Sequence, residues 1–268
     1  MIGPYFSFNG SLLPVEQAVL PIDDIELTYG FGVYETFRLR HGDVSLVVEH
    51  VDRLFHSATC ISLEHLFAKE QIQSWLQNLV QANGTDAATV KMLLLGGKTK
   101  EAARLYIFFL GPKFLEKKEY REGVRVITFK HERFLPQAKT LNMLPSYIAY
   151  TRAQRDGAYE ALFVDREGNI REGTRSNFFA IKDTTLYTTP KEVVLDGITR
   201  RTVIECAREH GWATKETQLP LAEIFTFDGA FLTNTSHKII PVKTIGNKSF
   251  KQIVENIILL RQWYDATS

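Results

Sequence analysis

Four short stretches place side chains and backbone donors where small-molecule chemistry could be done. Asp196-Gly197-Ile198-Thr199 stands just before an amphipathic run. The N–H groups and the Thr199 hydroxyl at such a helix start can hold a phosphate, although a simple N-cap uses the same residues. Thr233-Asn234-Thr235-Ser236 follows the apolar run 230–232 and sets hydroxyls and N–H donors at a strand end, where sites often form and where a solvated turn looks similar. Glu172-Gly173-Thr174-Arg175-Ser176-Asn177 precedes a strand and suits either a plain turn or a loop reaching into a site. Residues 28–38, with two glycines, two tyrosines and an acid and base, read as a glycine turn feeding a strand.

These stretches need a scaffold. Tyr5, Phe6 and Phe8 before Asn9-Gly10, then Leu12-Leu13, predict a hairpin, since Asn-Gly accepts the positive φ of a tight turn. Val51, Leu54, Phe55, Ala58 and Ile61 recur at helical spacing, as do Ile72, Trp75, Leu76, Leu79 and Val80, so two amphipathic helices need a sheet to cover. Runs 90–95 and 105–110 supply strands for it. Further strands are expected at 124–129, 161–164, 177–181, 186–189 and 230–232, and helices at 147–155, 199–210 and around Ile253 to Ile258. A charged stretch around 116–122 reads as a linker. The expected fold is therefore α+β / α/β in two domains, 1–115 and 123–268, with a cleft between them.

Composition narrows the function. The 32 Lys and Arg against 31 Asp and Glu leave a net charge of +1 without a basic block, so no nucleic-acid partner is implied. The longest apolar runs are far shorter than the roughly 18 residues of a membrane span. The first Lys or Arg is Arg38, and no targeting segment is visible. Cys60 and Cys206 lie far apart without a metal-ligand pattern, and the seven histidines form none, so neither disulfides nor a metal are expected and a cytoplasmic location fits.

Taken in order, residues 28–38, 139–147, 172–179, 196–201 and 233–242 resemble the class IV aminotransferases. These are pyridoxal 5′-phosphate (PLP) enzymes of fold type IV, among them branched-chain and D-amino acid aminotransferases and 4-amino-4-deoxychorismate lyases. The resemblance covers nearly the whole chain. It implies that Lys139, in Ala138-Lys139-Thr140-Leu141-Asn142, forms the internal aldimine and then takes a proton from the substrate carbon, chemistry that a partly apolar pocket assists by favouring the neutral amine. It further implies Glu172 at the pyridine nitrogen, Arg53 on the phosphate, Ile198 and Thr199 as phosphate donors from the helix start, Thr235 and Ser236 from the second loop, and Leu195 against the ring. Tyr29, Arg38 and Asn234 are the substrate-side expectations. A homodimer, with the 29–38 segment at its interface, follows from the same resemblance.

Within that family, residues 34–38 and 232–235 look most like the lyases, in which an asparagine at the Asn234 position is typical. Leu144 stands where branched-chain aminotransferases usually place a tyrosine. The expected reaction is thus 4-amino-4-deoxychorismate to 4-aminobenzoate and pyruvate, a step of folate biosynthesis. An amino acid aminotransferase, of D-amino acid type ahead of branched-chain type, is the alternative. Two features resist the lyase reading: the Glu172 stretch also suits aminotransferases, and residues 92–96 lack an arginine often found on that strand. Arg38, Arg175 and Lys98 are the candidates for a substrate carboxylate. A noncatalytic PLP-binding protein is the third reading, opposed by the retained lysine.

Overall fold

The computed structural model describes residues 1–43 and 47–267. The chain forms two compact units, one of Met1–Lys113 with Ala138–Asn142, the other of Phe114–Gln137 with Met143–Ser268.

In the first unit, β1 (Tyr5–Phe8) and β2 (Ser11–Pro14) make the expected hairpin, Asn9 and Gly10 both taking positive φ, 48° and 89°. With β3 (Gly32–Arg40), β4 (Ala87–Leu95) and β5 (Arg104–Leu110) they form an antiparallel sheet in the order β2-β1-β5-β4-β3. The short α1 (Ile25–Thr28) precedes β3, capped by the Asp24 carboxylate accepting from Leu27 N–H at 3.0 Å. Helices α2 (Val47–Cys60) and α3 (Lys69–Asn83) cover the sheet with Val51, Leu54, Ile72, Leu76 and Leu79, all buried against Val90, Met92 and Leu94. Each such side chain contributes about 1.5–3 kcal/mol by leaving water. Residues 28–38 do not merely feed a strand; from Gly32 on they are β3 itself. Val33, Glu35, Phe37 and Leu39 are buried while Tyr34, Thr36 and Arg38 lie half-buried on the other face, the two-residue period of a pleated strand.

The second unit opens with α4 (Lys117–Glu122), so the expected linker at 116–122 is a helix. Its charges are the helix's solvated face, and the Glu119 carboxylate accepts the Glu116 N–H at 3.1 Å to start it. After β6 (Val124–Lys130), α5 (Leu144–Arg155), β7 (Glu160–Val164), β8 (Ile170–Gly173), β9 (Asn177–Lys182) and β10 (Thr185–Thr188) come α6 (Ile198–Glu209), β11 (Ala213–Glu216), β12 (Gly229–Asn234), β13 (Lys238–Ile245), β14 (Lys248–Ser249) and α7 (Glu255–Thr267). The sheet runs β11-β10-β9-β12-β13-β6-β7-β8, with β14 on β13. Because β8 also pairs with β9 through Glu172 and Asn177, six strands close on themselves. Phe178 and Ala180 of β9 join one core with Leu232 and Ile240, while Phe179 and Ile181 pack with Val203 and Ala207 of α6 and Ile257 and Leu260 of α7.

The segment Ala138–Asn142 groups with the first unit although both its flanks belong to the second. Its backbone explains this. Tyr34 N–H donates to the Lys139 carbonyl at 3.0 Å and Leu141 N–H to the Gly32 carbonyl at 2.9 Å, extending the edge of β3. The lysine segment, which the expected limits of 1–115 and 123–268 put in the second domain, thus pairs with β3 of the first unit.

Candidate active site

In the first unit, Lys139 is gripped from two elements. Besides the β3 contact, its N–H donates to the Ser57 hydroxyl of α2 at 3.0 Å. Its Nζ lies 4.6 Å from the centre of the Tyr34 ring, and Lys91 Nζ lies 5.1 Å from the same ring, both within cation–π range. A half-buried amine with a fixed backbone can serve as a placed nucleophile or proton acceptor. Lys91 was not singled out in the sequence; its alternation with buried Val90 and Met92 was the available signal.

Arg53 is buried and paired with Glu35. Its Nε donates to Oε1 at 2.7 Å and Nη2 to Oε2 at 2.8 Å, while His50 Nδ1 lies 2.7 Å from Oε2. Burial alone would push the Glu35 carboxyl up, but the Arg53 charge and hydrogen bonds from Arg53 and His50 hold it at about 2. His50 is pushed down, first by burial, with the charges of Arg53 and Lys139 adding to it against the Glu35 carboxylate, so it stays neutral and donates through Nδ1–H.

In the second unit, Glu172 accepts from Arg133 Nη1 at 3.0 Å and from Leu195 N–H at 3.1 Å. Arg133 and Glu172 line a cavity of about 160 Å³ together with His131, Phe163 and Val193. Asn177 Nδ2 donates to the Leu195 carbonyl at 2.7 Å, so Leu195 is tied through both its backbone groups. Helix α6 starts at Gly197 without a side-chain cap, and Ile198 and Thr199 in its first turn are buried. A Cβ at Gly197 would collide with the Asn177 side-chain oxygen. The buried Arg200 ties this loop together, reaching Asp196, the Thr189 carbonyl and Glu216.

The donor set around α6 fits a phosphate. The first N–H groups of a helix have no intrahelical acceptor, and glycine leaves them without a side-chain cap. Thr233, opposite Asn177 in the β12–β9 register, is buried with its hydroxyl unpartnered among the described residues. A cross-strand pair shares one face, so that hydroxyl lies on the face carrying the Asn177 amide. Thr235 and Ser236 follow in the turn to β13 and are half-buried.

The remaining candidates have the following surroundings. Tyr29 is 83% exposed. Arg38 Nη2 donates to the Lys113 carbonyl at 2.9 Å, and Lys98 is exposed. Arg175 lies 3.8 Å over the Tyr150 ring, and its N–H donates to Glu160 at 3.0 Å. Asn234 Oδ1 accepts the His237 N–H at 2.8 Å, and its Nδ2 donates to the Tyr159 hydroxyl at 3.3 Å. Tyr159 also lies 2.8 Å from His237 Nδ1, and burial pushes its phenol well up, keeping it protonated. Cys206 is buried, whereas Cys60 at the end of α2 is half-exposed.

Residues 32–245 match the amino-transferase class IV family. The D-alanine aminotransferase of Bacillus licheniformis is 31% identical over 254 residues, 90% of this chain and 88% of the relative. A putative branched-chain-amino-acid aminotransferase of Methanocaldococcus jannaschii is 30% identical, covering 93% of this chain and 92% of the relative. Among solved structures, a T.th. branched-chain amino acid aminotransferase with pyridoxamine 5′-phosphate superposes with a TM-score of 0.90 at 27% identity, over 98% of this chain and 94% of that one. The chain belongs to the class IV aminotransferases, with their fold type IV architecture and with pyridoxal 5′-phosphate as its cofactor.

Proposed function

We propose that the protein is an amino acid transaminase, of the D-amino acid type ahead of the branched-chain type. The observation that carries this reading is the Asn234 amide. Both its ends are engaged by protein partners, His237 N–H and the Tyr159 hydroxyl, so the residue that favoured the lyase serves the 234–237 turn. Leu144, in place of the branched-chain enzymes' tyrosine, favours the D-amino acid type, as does the likeness to a D-alanine aminotransferase.

In this reading PLP, when bound, supplies an electron sink that lets the substrate carbon lose a proton. Lys139 would hold the cofactor covalently and, once the substrate amine has displaced it from the cofactor, would move that proton on the freed Nζ, guided by the backbone grip of β3 and Ser57. Glu172 meets the pyridine nitrogen, its carboxylate oriented by Arg133 and Leu195 N–H. Arg53, the start of α6 with Ile198 and Thr199, and the Thr235-Ser236 turn hold the phosphate. Leu195 packs on the ring. The protein acts as a homodimer, a reading supported by apolar side chains left exposed on the first unit, Val19 at 70% and Ile22 at 96%. Among the described residues no helix is long and apolar enough to cross a membrane. The cytoplasm is the proposed location, supported by the two thiols outside any disulfide.

The lyase remains the second reading, favoured by the Leu232-Thr233-Asn234-Thr235 run. Turnover with a panel of D- and L-amino acids, compared with 4-amino-4-deoxychorismate, separates the two. Transamination of D-amino acids is the expected result. Release of pyruvate from aminodeoxychorismate without transamination would establish the lyase, and binding of PLP without either turnover would return the noncatalytic reading.

A further inference from the structure

Helix α2 buries a polar stripe. His50, Arg53 and Ser57 recur at helical spacing on its inner face, where apolar residues would serve packing alone at least as well, because a buried ion pair roughly breaks even against them. Ser57 accepts the Lys139 N–H. Arg53 and His50 converge on Glu35 of β3, which has no exposed surface. Two parallel bonds from Nε and Nη2 fix the plane of the Arg53 guanidinium and hence the direction of its third nitrogen, Nη1. His50 bonds the same Oε2 that Nη2 uses, and the Thr36 N–H donates to it at 3.3 Å, so the carboxylate itself is pinned.

We propose that Glu35, locked by His50, is a positioning residue that orients Arg53 for the phosphate of the cofactor. This rests on the assignment of Arg53 to that phosphate made above. Charge alone argues the opposite way: a carboxylate beside Arg53 weakens its pull on a second anion, so its removal would tighten phosphate binding if orientation counted for little. Orientation is the larger effect because a guanidinium bonds oxyanions through directed, coplanar N–H groups.

The test titrates cofactor-free wild type, Glu35→Gln, His50→Gln and Arg53→Gln with PLP and with pyridoxal, which lacks the phosphate, alongside circular dichroism and thermal melting. The quantity read is the preference for PLP over pyridoxal. Glu35→Gln is expected to cut that preference by roughly 10- to 100-fold, as loss of a charge-assisted bond does, with pyridoxal affinity within about twofold of wild type. His50→Gln, which keeps the ion pair, is expected to cut it by about 3- to 10-fold, in keeping with one hydrogen bond, and carries the test if Glu35→Gln does not fold. A merely structural role weakens both ligands together and leaves the preference at its wild-type value, which overturns the proposal; so does a tightened PLP affinity. If Arg53→Gln loses the preference while the Glu35 and His50 variants keep it, only the positioning role fails. If Arg53→Gln itself keeps the preference, the assignment of Arg53 to the phosphate is wrong and the proposal falls with it.

Discussion

Acid should remove the stabilisation that the buried Glu35 carboxylate gives the fold, and the structure sets its size. The carboxyl moves from its ordinary 4.5 to about 2 in the folded chain, a difference on the order of 3 kcal/mol. A depressed folded value means that the unfolded chain takes up its proton first. The contribution is therefore complete above pH 4.5 and disappears as the pH falls through 2, with about 2 kcal/mol already lost at pH 3. Urea denaturation of cofactor-free wild type and Glu35→Gln at pH 5, 4 and 3 measures it, since glutamine has no proton to gain. His50, lowered from 6.5 mainly by burial although Glu35 raises it, also loses stability as pH falls, so the same pair is measured in a His50→Gln background, where that titration is absent. The gap in unfolding free energy between the two proteins should shrink by about 2 kcal/mol from pH 5 to pH 3. A constant gap would refute the reasoning. A gap that widens on acidification would mean that burial, which by itself raises the carboxyl, outweighs Arg53 and His50.

Three further outcomes are expected. Lys139→Ala should lose covalent cofactor attachment and turnover while keeping its circular dichroism spectrum; borohydride reduction and peptide mass mapping that place the cofactor on another lysine would reject the assignment. Gly197→Ala sets a Cβ against the Asn177 side chain, so melting temperature and PLP affinity should both fall, by about 1–3 kcal/mol of stability for such overpacking; a variant indistinguishable from wild type in both would show that the start of α6 does not need this close approach. Asn234→Ala should lower the melting temperature through loss of about 1 kcal/mol in the 234–237 turn with kcat/KM preserved, whereas Thr235→Ala should weaken PLP binding in a fluorescence titration; a fall in kcat/KM for Asn234→Ala at saturating PLP would instead support a substrate contact and the lyase.

Local patterns were legible in the chain itself. Asn9-Gly10 specified its hairpin because positive φ at both positions is a property of those residues and their neighbours. The spacing of Val51, Leu54 and Ala58, and of Ile72, Leu76 and Leu79, predicted the covering helices because a helix returns to the same face every three to four residues. Asp196-Gly197-Ile198-Thr199 marked a helix start for the same local reason, while the absence of a side-chain cap there became visible only in the structure. The motif order along the chain was enough to point to the family and its cofactor, which the match over residues 32–245 bears out.

What the tertiary structure decided are the partners that side chains find across the fold. Glu35 meets His50 and Arg53, 15 and 18 residues on, only because β3 and α2 pack face to face. Had the register of β3 slipped by one residue, its carboxylate would point to the opposite face. Glu172 takes Arg133 from 39 residues away, and Asn234 takes the Tyr159 hydroxyl from 75 away. Lys139 joined the first unit because its backbone found the open edge of β3. Sequence spacing carries the backbone's local preferences, whereas strand register and helix packing depend on contacts made once the whole chain has collapsed, and those contacts chose the neighbours of each charged group.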